Sequence, residues 1–156
     1  DNPELMKEWH KIKMFKSIFD KMTIKEQKGT KTSFYIPNRL LSLNEYICLN
    51  RGNRYGGASK KKDIEGYIMN YINFSNLEKI KKPCFIKFTW YEPNNRRDKD
   101  NVCFAKKFIL DALQKSGKLE NDNNKFIKGF SDNFVYNKVE GIKVEIKSAD
   151  NITEMW

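Results

Sequence analysis

The residues best suited to chemistry lie in one short run, Arg-Arg-Asp-Lys-Asp-Asn at positions 96–101. Asp98 and Asp100 are two residues apart, so an extended backbone is expected to project both carboxylates to one side. Two adjacent carboxylates repel each other unless a cation neutralises them, and oxygen ligands of this type suit Mg²⁺ or Mn²⁺. Arg96 and Arg97 stand beside them and are placed to hold phosphate. A hard-metal site next to arginines indicates phosphodiester chemistry.

The charge of the chain favours a polyanionic partner. Its 156 residues include 30 Lys and Arg against 20 Asp and Glu, which gives a formal net charge of +10 and a pI near 9.4. DNA or RNA is the polyanion that fits such a balance. The abundance of lysine also fits a surface that only aids solubility, or the codon usage of an AT-rich genome. The length fits one domain with a single hydrophobic core.

Cysteine and histidine usage excludes several kinds of site. Cys48, Cys84 and Cys103 are odd in number and form no C-x-x-C motif, which argues against a disulfide framework or a zinc ribbon. We expect reduced thiols, largely in the core, in a cytoplasmic protein. His10 is the only histidine and lies near the N-terminus, so a metal site in the core must be built from carboxylates. No apolar run is long enough to span a bilayer and no secretory signal opens the chain, so no membrane partner is expected.

Hydrophobic periodicity predicts an α/β (α+β) fold, in which a small mixed β-sheet of about four strands packs with helices. Strands are predicted over residues 32–36, 84–90, 126–136 and 142–147. Helices are predicted from about residue 45, over 64–72 after a glycine-rich interruption at 51–57, and over 101–116. The chain divides into an N-terminal amphipathic helix (3–22) with its linker (together 1–31), the folded domain (32–147) and a C-terminal tail (148–156).

A metal site of this kind needs a third carboxylate. Asp122 is the best candidate, because it lies in the loop that returns from the helix beginning just after Asp100. Glu120 in the same loop is an alternative, and Asp111 lies within the helix beside its apolar stripe. Spacing alone leaves open whether the loop reaches the aspartate pair, since acidic residues in such loops are usually solvated.

The run RRDKDNVCFAKKFILDALQKSGKLEND, residues 96–122, resembles the RusA family of Holliday junction resolvases, in particular its phage-encoded branch. The shared elements are an arginine-rich lead-in, D-x-D-N, a helix carrying L-D-A-L, a glycine and a terminal acidic loop. The segment IPNRLLSLNEYI, residues 36–47, is similar to that family's first strand and the turn after it. The resemblance covers about residues 32–147, which become the RusA-like domain, and leaves the first 31 residues outside it.

The resemblance implies a homodimeric, Mg²⁺-dependent endonuclease that cuts four-way DNA junctions by paired symmetric nicks, with Mn²⁺ able to substitute. It implies that Asp98, Asp100 and Asp122 bind the metal, which polarises the scissile phosphate and lowers the pKa of the attacking water. The family often carries a second acid directly before the last aspartate, where this chain has Asn121.

The catalytic lysine of the family lies one helical turn after the aspartates, and this chain has Phe104 there. Lys107 is three residues further on and is expected on roughly the same face of the helix. We therefore assign the role to Lys107, since Lys106 is less well aimed. Lys99, between the two aspartates, is expected to point away from both in an extended segment.

Basic residues around this run are the candidates for contacts to DNA phosphates. The set is Arg51, Arg54, Lys60, Lys61, Lys62, Arg96 and Arg97. Tyr55 is expected to stack on an unpaired base. Residues 60–62 are predicted at the start of a helix, where the helix dipole disfavours cations and a bound phosphate would offset that cost. Each of these side chains also fits an ordinary solvated surface.

Three alternatives stay open. Glu145 and Lys147 form an E-x-K pattern on one strand face, which fits another class of metal nuclease or a solvent-facing ion pair. A non-catalytic DNA- or junction-binding protein that keeps the fold is the second, and the Phe104 departure favours it. The third concerns what the amphipathic helix over 3–22 contacts, because its apolar stripe fits a partner, DNA, a membrane surface or its own domain.

Overall fold

The computed structural model describes residues 29–52, 54–120 and 125–149, without the side chains of residues 54–57. The predicted amphipathic helix over 3–22 lies outside these residues, as do Asp122 and the chain beyond Ala149.

A four-stranded mixed sheet forms the centre of the domain, which confirms the predicted fold class. The strands are β1 (Ser33–Pro37), β2 (Cys84–Glu92), β3 (Ile127–Tyr136) and β4 (Gly141–Ser148). Their order across the sheet is β1-β4-β2-β3, with β4 antiparallel to both of its neighbours and β3 parallel to β2. Because β2 and β3 run in the same direction, their carboxyl ends meet at one edge, where Glu92 lies opposite Tyr136.

The helices differ from the prediction at two points. They are α1 (Leu43–Gly52), α2 (Arg54–Phe74), α3 (Lys99–Cys103) and α4 (Lys106–Lys115). The predicted interruption at 51–57 is too long, because α1 extends to Gly52 and α2 begins at Arg54, well before the predicted start near residue 64. Glycine lowers helix propensity by only about 1 kcal/mol per residue, which tertiary packing overrides. The single helix predicted over 101–116 is also wrong, because a turn at 104–105 separates α3 from α4.

The core lies between one face of the sheet and the helices. Along β2, Ile86, Phe88 and Trp90 alternate toward this face and are fully buried. On α2, Ile68 and Ile72 are one turn apart and equally buried, so they form its packing stripe. The indole of Trp90 stacks on the ring of Phe88 with 5.6 Å between the ring centroids.

A capping box begins α1. The backbone N–H of Glu45 donates to Ser42 Oγ at 3.3 Å, and the backbone N–H of Ser42 donates to Glu45 Oε1 at 3.3 Å. Each side chain satisfies a backbone donor that the first helical turn leaves unpaired. The pattern Ser-x-x-Glu therefore sets where the helix begins.

Two glycines predict alanine substitutions of opposite sign. Gly29 has φ of +76°, and a Cβ there would lie 2.6 Å from the carbonyl oxygen of Ser33. Gly66 lies in α2, and its Cβ would meet nothing within 4 Å. We expect Gly29→Ala to lower the free energy of unfolding by about 1–3 kcal/mol and Gly66→Ala to raise it by about 0.5–1 kcal/mol. Urea denaturation of both variants checks this, and two shifts in the same direction would contradict it.

Candidate metal and nucleic-acid site

Asp98 and Asp100 lie at the start of α3, directly after the loop 93–97 that follows β2. Asp98 has an extended backbone (φ −66°, ψ 150°) and is the N-cap of α3, since the N–H of Val102 donates to its carbonyl oxygen at 3.0 Å. Asp100 is already in the first helical turn. The predicted extended Asp-x-Asp segment is therefore wrong, because aspartate also favours the N-cap and the first turn of a helix.

The two carboxylates of this pair are uncommitted. Both side chains are exposed, and neither forms an ion pair or a side-chain hydrogen bond with any described residue. Lys99 extends over the ring of Phe134, with its Nζ 5.6 Å from the ring centroid. The acidic pair is thus open to solvent, and the lysine between the two aspartates lies over an aromatic ring.

The third predicted carboxylate, Asp122, lies outside the described residues. Among the residues that are described, no group of three His, Cys, Asp or Glu side chains is arranged to hold a metal. Of the two alternative acids, Glu120 is exposed, whereas Asp111 forms an ion pair in which its Oδ2 lies 3.3 Å from Lys61 Nζ. Asp111 therefore contributes to packing between α2 and α4, and Glu120 is the described acid that stays open to solvent in this loop.

Arg97 holds the loop that leads to the aspartates. Its Nε donates to Glu92 Oε1 at 2.7 Å, and its Nη1 donates to the carbonyl oxygen of Leu40 at 3.1 Å. Glu45 Oε1 lies 3.5 Å from the same nitrogen, and only 15% of the arginine side chain is exposed. A guanidinium bound to three protein acceptors favours a positioning role over direct contact with DNA. Arg96 is exposed, and its backbone N–H donates to the side chain of Asn94.

Glu45 connects this loop to α1. Burial acts to raise the pKa of its carboxyl, but hydrogen bonds from Ser42 and the charges of Arg39 and Arg97 outweigh burial and lower the pKa. Glu45 is therefore ionised at neutral pH, and its charge holds Arg97 beside it. Arg39 is a further cation at this site, with its Nη2 3.3 Å from Glu45 Oε2, and sequence reasoning did not single it out.

An ion pair that the sequence did not reveal lies on β3. Lys106 Nζ is 2.7 Å from Asp132 Oδ2, and Trp90 Nε1–H donates to Asp132 Oδ1 at 2.9 Å. The ammonium also lies over two aromatic rings, 5.3 Å from the centroid of Phe88 and 4.7 Å from that of Phe130. The available signal was an aspartate in a predicted strand among apolar residues, but its partners lie 26 and 42 residues away.

The other lysine, Lys107, is exposed and has no ion pair among the described residues. Its predicted alignment with Phe104 assumed a continuous helix, and that premise is wrong because α3 ends at Cys103. Phe104 instead packs against the core, with 5.6 Å between its ring centroid and those of Tyr46 and Phe108. The position at which the resemblance implies a catalytic lysine is therefore occupied by a packing residue.

Cys103 lies near two of the acids described above, Asp100 and Asp132. Its Sγ contacts the carbonyl oxygen of Asp100 at 3.7 Å. Burial raises the pKa of the thiol, and the negative charges of Asp132 and Asp100 raise it further against the opposing charge of Lys106. All three cysteines are free, but only Cys84 is buried, with its pKa raised by burial to about 11. The expectation that the thiols lie largely in the core is wrong for Cys48, which is exposed.

The remaining predicted DNA contacts differ in their surroundings. Arg51, Lys60 and Lys62 are exposed, and Lys61 is partly buried. The side chains of Arg54 and Tyr55 lie outside the described set. Lys61 pairs with Asp111 and, at 3.7 Å, with Glu65. Residues 60–62 lie within α2, beyond its first turn. Their predicted place at a helix start is therefore wrong, and the argument for a phosphate at that terminus no longer applies.

Glu65 is the one acid among the described residues that is almost fully buried, with 2% of its side chain exposed. It forms an ion pair with Lys115 across α2 and α4, and its Oε1 has no hydrogen-bond partner among the described residues. Lys61 Nζ lies 3.7 Å from Glu65 Oε1, so the ammonium is part of the interface between α2 and α4. The burial of Lys61 acts to lower its pKa, but Asp111 and Glu65 outweigh burial and raise it.

The E-x-K pattern lies on the face of the sheet opposite the core. Glu145 is half-buried on β4, where it lies opposite Lys87 of β2 in the antiparallel register. The alternation of β4 places its apolar residues, Ile142 and Val144, on the helix side and Glu145 on the other. The pattern is thus part of a polar sheet surface on the side away from the helices.

None of the helices in the described part of the chain is long and apolar enough to cross a membrane. The chain as a whole matches no protein-family model and no curated protein sequence. Its function is therefore inferred from the aspartate pair and its surroundings.

Proposed function

We propose that the chain is a Mg²⁺-dependent, structure-selective endodeoxyribonuclease of the RusA type, which resolves four-way DNA junctions by paired symmetric nicks. The observation that carries the proposal is the exposed, uncommitted carboxylate pair of Asp98 and Asp100 in a chain with a net charge of +10. An acidic pair in a basic DNA-binding surface repels phosphate unless a divalent cation neutralises it. The proposal includes a homodimer in the cytoplasm of a bacterial or phage-infected cell.

The donor set of the pair fits a hard divalent ion. Carboxylate oxygens are ligands that Mg²⁺ prefers, and no protein cation among the described residues forms an ion pair with them. Asp122 is the proposed third ligand. When bound, the ion polarises the scissile phosphate and lowers the pKa of a water. Arg97 keeps the aspartate loop in place through Glu92, and Lys107 supplies positive charge for the phosphate oxygens.

Binding to DNA rests on exposed basic residues. Arg51, Lys60, Lys62 and Arg96 are exposed, and Arg39 and Lys60 line the same surface cavity beside α1. Contacts of this kind neutralise phosphates without reading bases, so affinity falls steeply with salt. The branched shape of the junction and the two-fold symmetry of a dimer then supply the selectivity.

A specific observation favours a second candidate, a junction-binding protein that has lost cleavage. Phe104 packs against Tyr46 and Phe108, so no cation can occupy the position of the family lysine. Such a protein would keep the DNA affinity and need no metal. Cleavage, rather than binding, distinguishes the two candidates.

A synthetic four-way junction, labelled on each strand in turn, tests the proposal. With Mg²⁺ we expect one nick in each of two opposing strands at symmetric positions, no nicks with a chelator, and no cutting of a linear duplex of the same sequence. Tight binding without nicks at any Mg²⁺ or Mn²⁺ concentration would favour the second candidate.

The two adjacent lysines predict different defects. We expect Lys107→Met to lower the nicking rate about 10²-fold with little change in stability, because its ammonium is uncommitted. Lys106→Met should instead lower the free energy of unfolding by about 1–2 kcal/mol, because Asp132 loses a charged partner. Nicking rates and urea denaturation of both variants check this. A rate loss confined to Lys106→Met would reverse the assignment.

A further inference from the structure

A cavity of about 160 Å³ lies at the carboxyl edge of the parallel strand pair. Residues that line it include Asn94, Asn95, Lys99, Val102, Phe134 and Tyr136. Arg97 and Lys99 both line the cavity, and they flank Asp98 on either side in the sequence. The carboxyl ends of parallel strands are where α/β sheets commonly bind ligands. A ligand in this cavity would therefore contact Arg97 and Lys99, the residues on either side of Asp98.

The side chains of this cavity provide an aromatic surface with a cation above it. Phe134 and Tyr136 are two residues apart on β3, so both project to the same face of the sheet as Trp90, the register partner of Phe134. Lys99 Nζ lies 5.6 Å from the centroid of Phe134. Tyr136 is 72% exposed, so its ring is accessible to a ligand. An aromatic face of this kind stacks with a planar ring.

The size and the polar rim limit what the cavity can hold. Pockets for drug-sized ligands occupy about 300–1,000 Å³, so a volume of about 160 Å³ has room for a single ring system. Asn94 Oδ1 accepts the N–H of Arg96, which fixes that amide, while the Asn95 amide has no hydrogen-bond partner among the described residues. An asparagine amide donates and accepts at once, which is the pattern that pairs with the edge of a nucleobase.

We propose that this cavity receives one unpaired nucleobase of branched DNA, which stacks on Tyr136 beside the phosphate at Asp98 and Asp100. The inference rests on the proposed function, which supplies branched DNA whose base pairs at the branch point can open to release a base. Lys99 neutralises the phosphate of the captured nucleotide, and Asn95 bonds to the edge of the base. Base capture would fix which phosphate reaches the aspartates, so the cavity determines the position of the nick.

A four-way junction with 2-aminopurine at the branch point tests this in the presence of a chelator, so that cutting plays no part. We expect wild-type protein to quench the fluorescence by stacking, and Tyr136→Ala to weaken the quenched complex about tenfold. Tyr136→Phe keeps a ring and should keep the quenching. Phe74→Ala is the matched control, because Phe74 is an exposed aromatic residue at the end of α2 outside the cavity lining.

The outcomes separate this inference from the nuclease proposal. Unchanged quenching in Tyr136→Ala, with junction nicking intact, overturns the base cavity and leaves the nuclease. Quenching that depends on Tyr136 in a protein that never nicks supports the cavity and removes the nuclease. A change of oligomeric state in Tyr136→Ala by sedimentation, with quenching unaffected, assigns the surface to self-association and also overturns the inference.

Discussion

Asp100→Asn is expected to lower the rate of metal-dependent junction nicking by about 10³-fold or more, equivalent to about 4 kcal/mol of transition-state stabilisation. The carboxylate is exposed and uncommitted among the described residues, so the amide changes its charge and ligand strength without disturbing packing. Junction affinity should stay the same or rise, because one negative charge near the phosphates is removed. Single-turnover nicking and a gel-shift titration measure the two quantities separately.

The matched control for this variant is Glu78→Gln. Glu78 is an exposed carboxylate that pairs with Lys31 and precedes the amino end of β2, whereas the aspartates follow the carboxyl end of that strand. The same loss of one charge there should leave the nicking rate within about twofold of wild type, as expected for a surface change away from the site. Equal losses in both variants would mean that net charge, and not a metal ligand, controls the rate.

Trp90→Ala should cause the largest loss of stability of all these substitutions. Trp90 is 1% exposed, stacks on Phe88, and donates its indole N–H to Asp132. Truncation leaves a cavity in the core and removes a hydrogen bond from a carboxylate, so the free energy of unfolding should fall by about 3–5 kcal/mol. The total free energy of unfolding of most domains is only about 5–15 kcal/mol. Urea denaturation followed by circular dichroism gives the value.

Trp90→Phe separates the two contributions to this loss. Phenylalanine keeps an aromatic ring against Phe88 but lacks the N–H that Asp132 accepts. We expect a smaller loss in the free energy of unfolding, about 1–3 kcal/mol. The difference between this loss and that of Trp90→Ala is then the contribution of ring packing. If Trp90→Ala destabilised the protein by less than about 1 kcal/mol, the described core around β2 would be wrong.

The strands could be predicted from the sequence, because alternation is a local property. Apolar residues recur at every second position from 84 to 90, and β2 occupies Cys84–Glu92. The end of the helix pattern was harder to predict. Phe104 and Ala105 continue an apolar stripe, yet a turn occurs there as Phe104 packs against Tyr46 of α1. That contact joins two segments that are distant in the sequence, and no local pattern reveals it.

The candidate site was predictable in its residue types and less so in its geometry. Asp98 and Asp100 are both exposed, but an Asp-x-Asp motif fits both an extended strand and a helix N-terminus. The role of Arg97 changed for a similar reason, since its acceptors Glu92, Leu40 and Glu45 come from three separate segments. Asp132 was missed because the register of β3 against β2 decides what it faces.

The binding of Mn²⁺, measured by electron paramagnetic resonance on wild type and on the variants Asp98→Asn, Asp100→Asn and Asp122→Asn, tests the central claim most directly. The claim is that these three carboxylates together hold the divalent metal. It predicts that wild type binds Mn²⁺ and that each variant binds it at least about tenfold more weakly while remaining folded. Wild-type affinity in Asp122→Asn, or no Mn²⁺ binding by the wild-type chain, would contradict it.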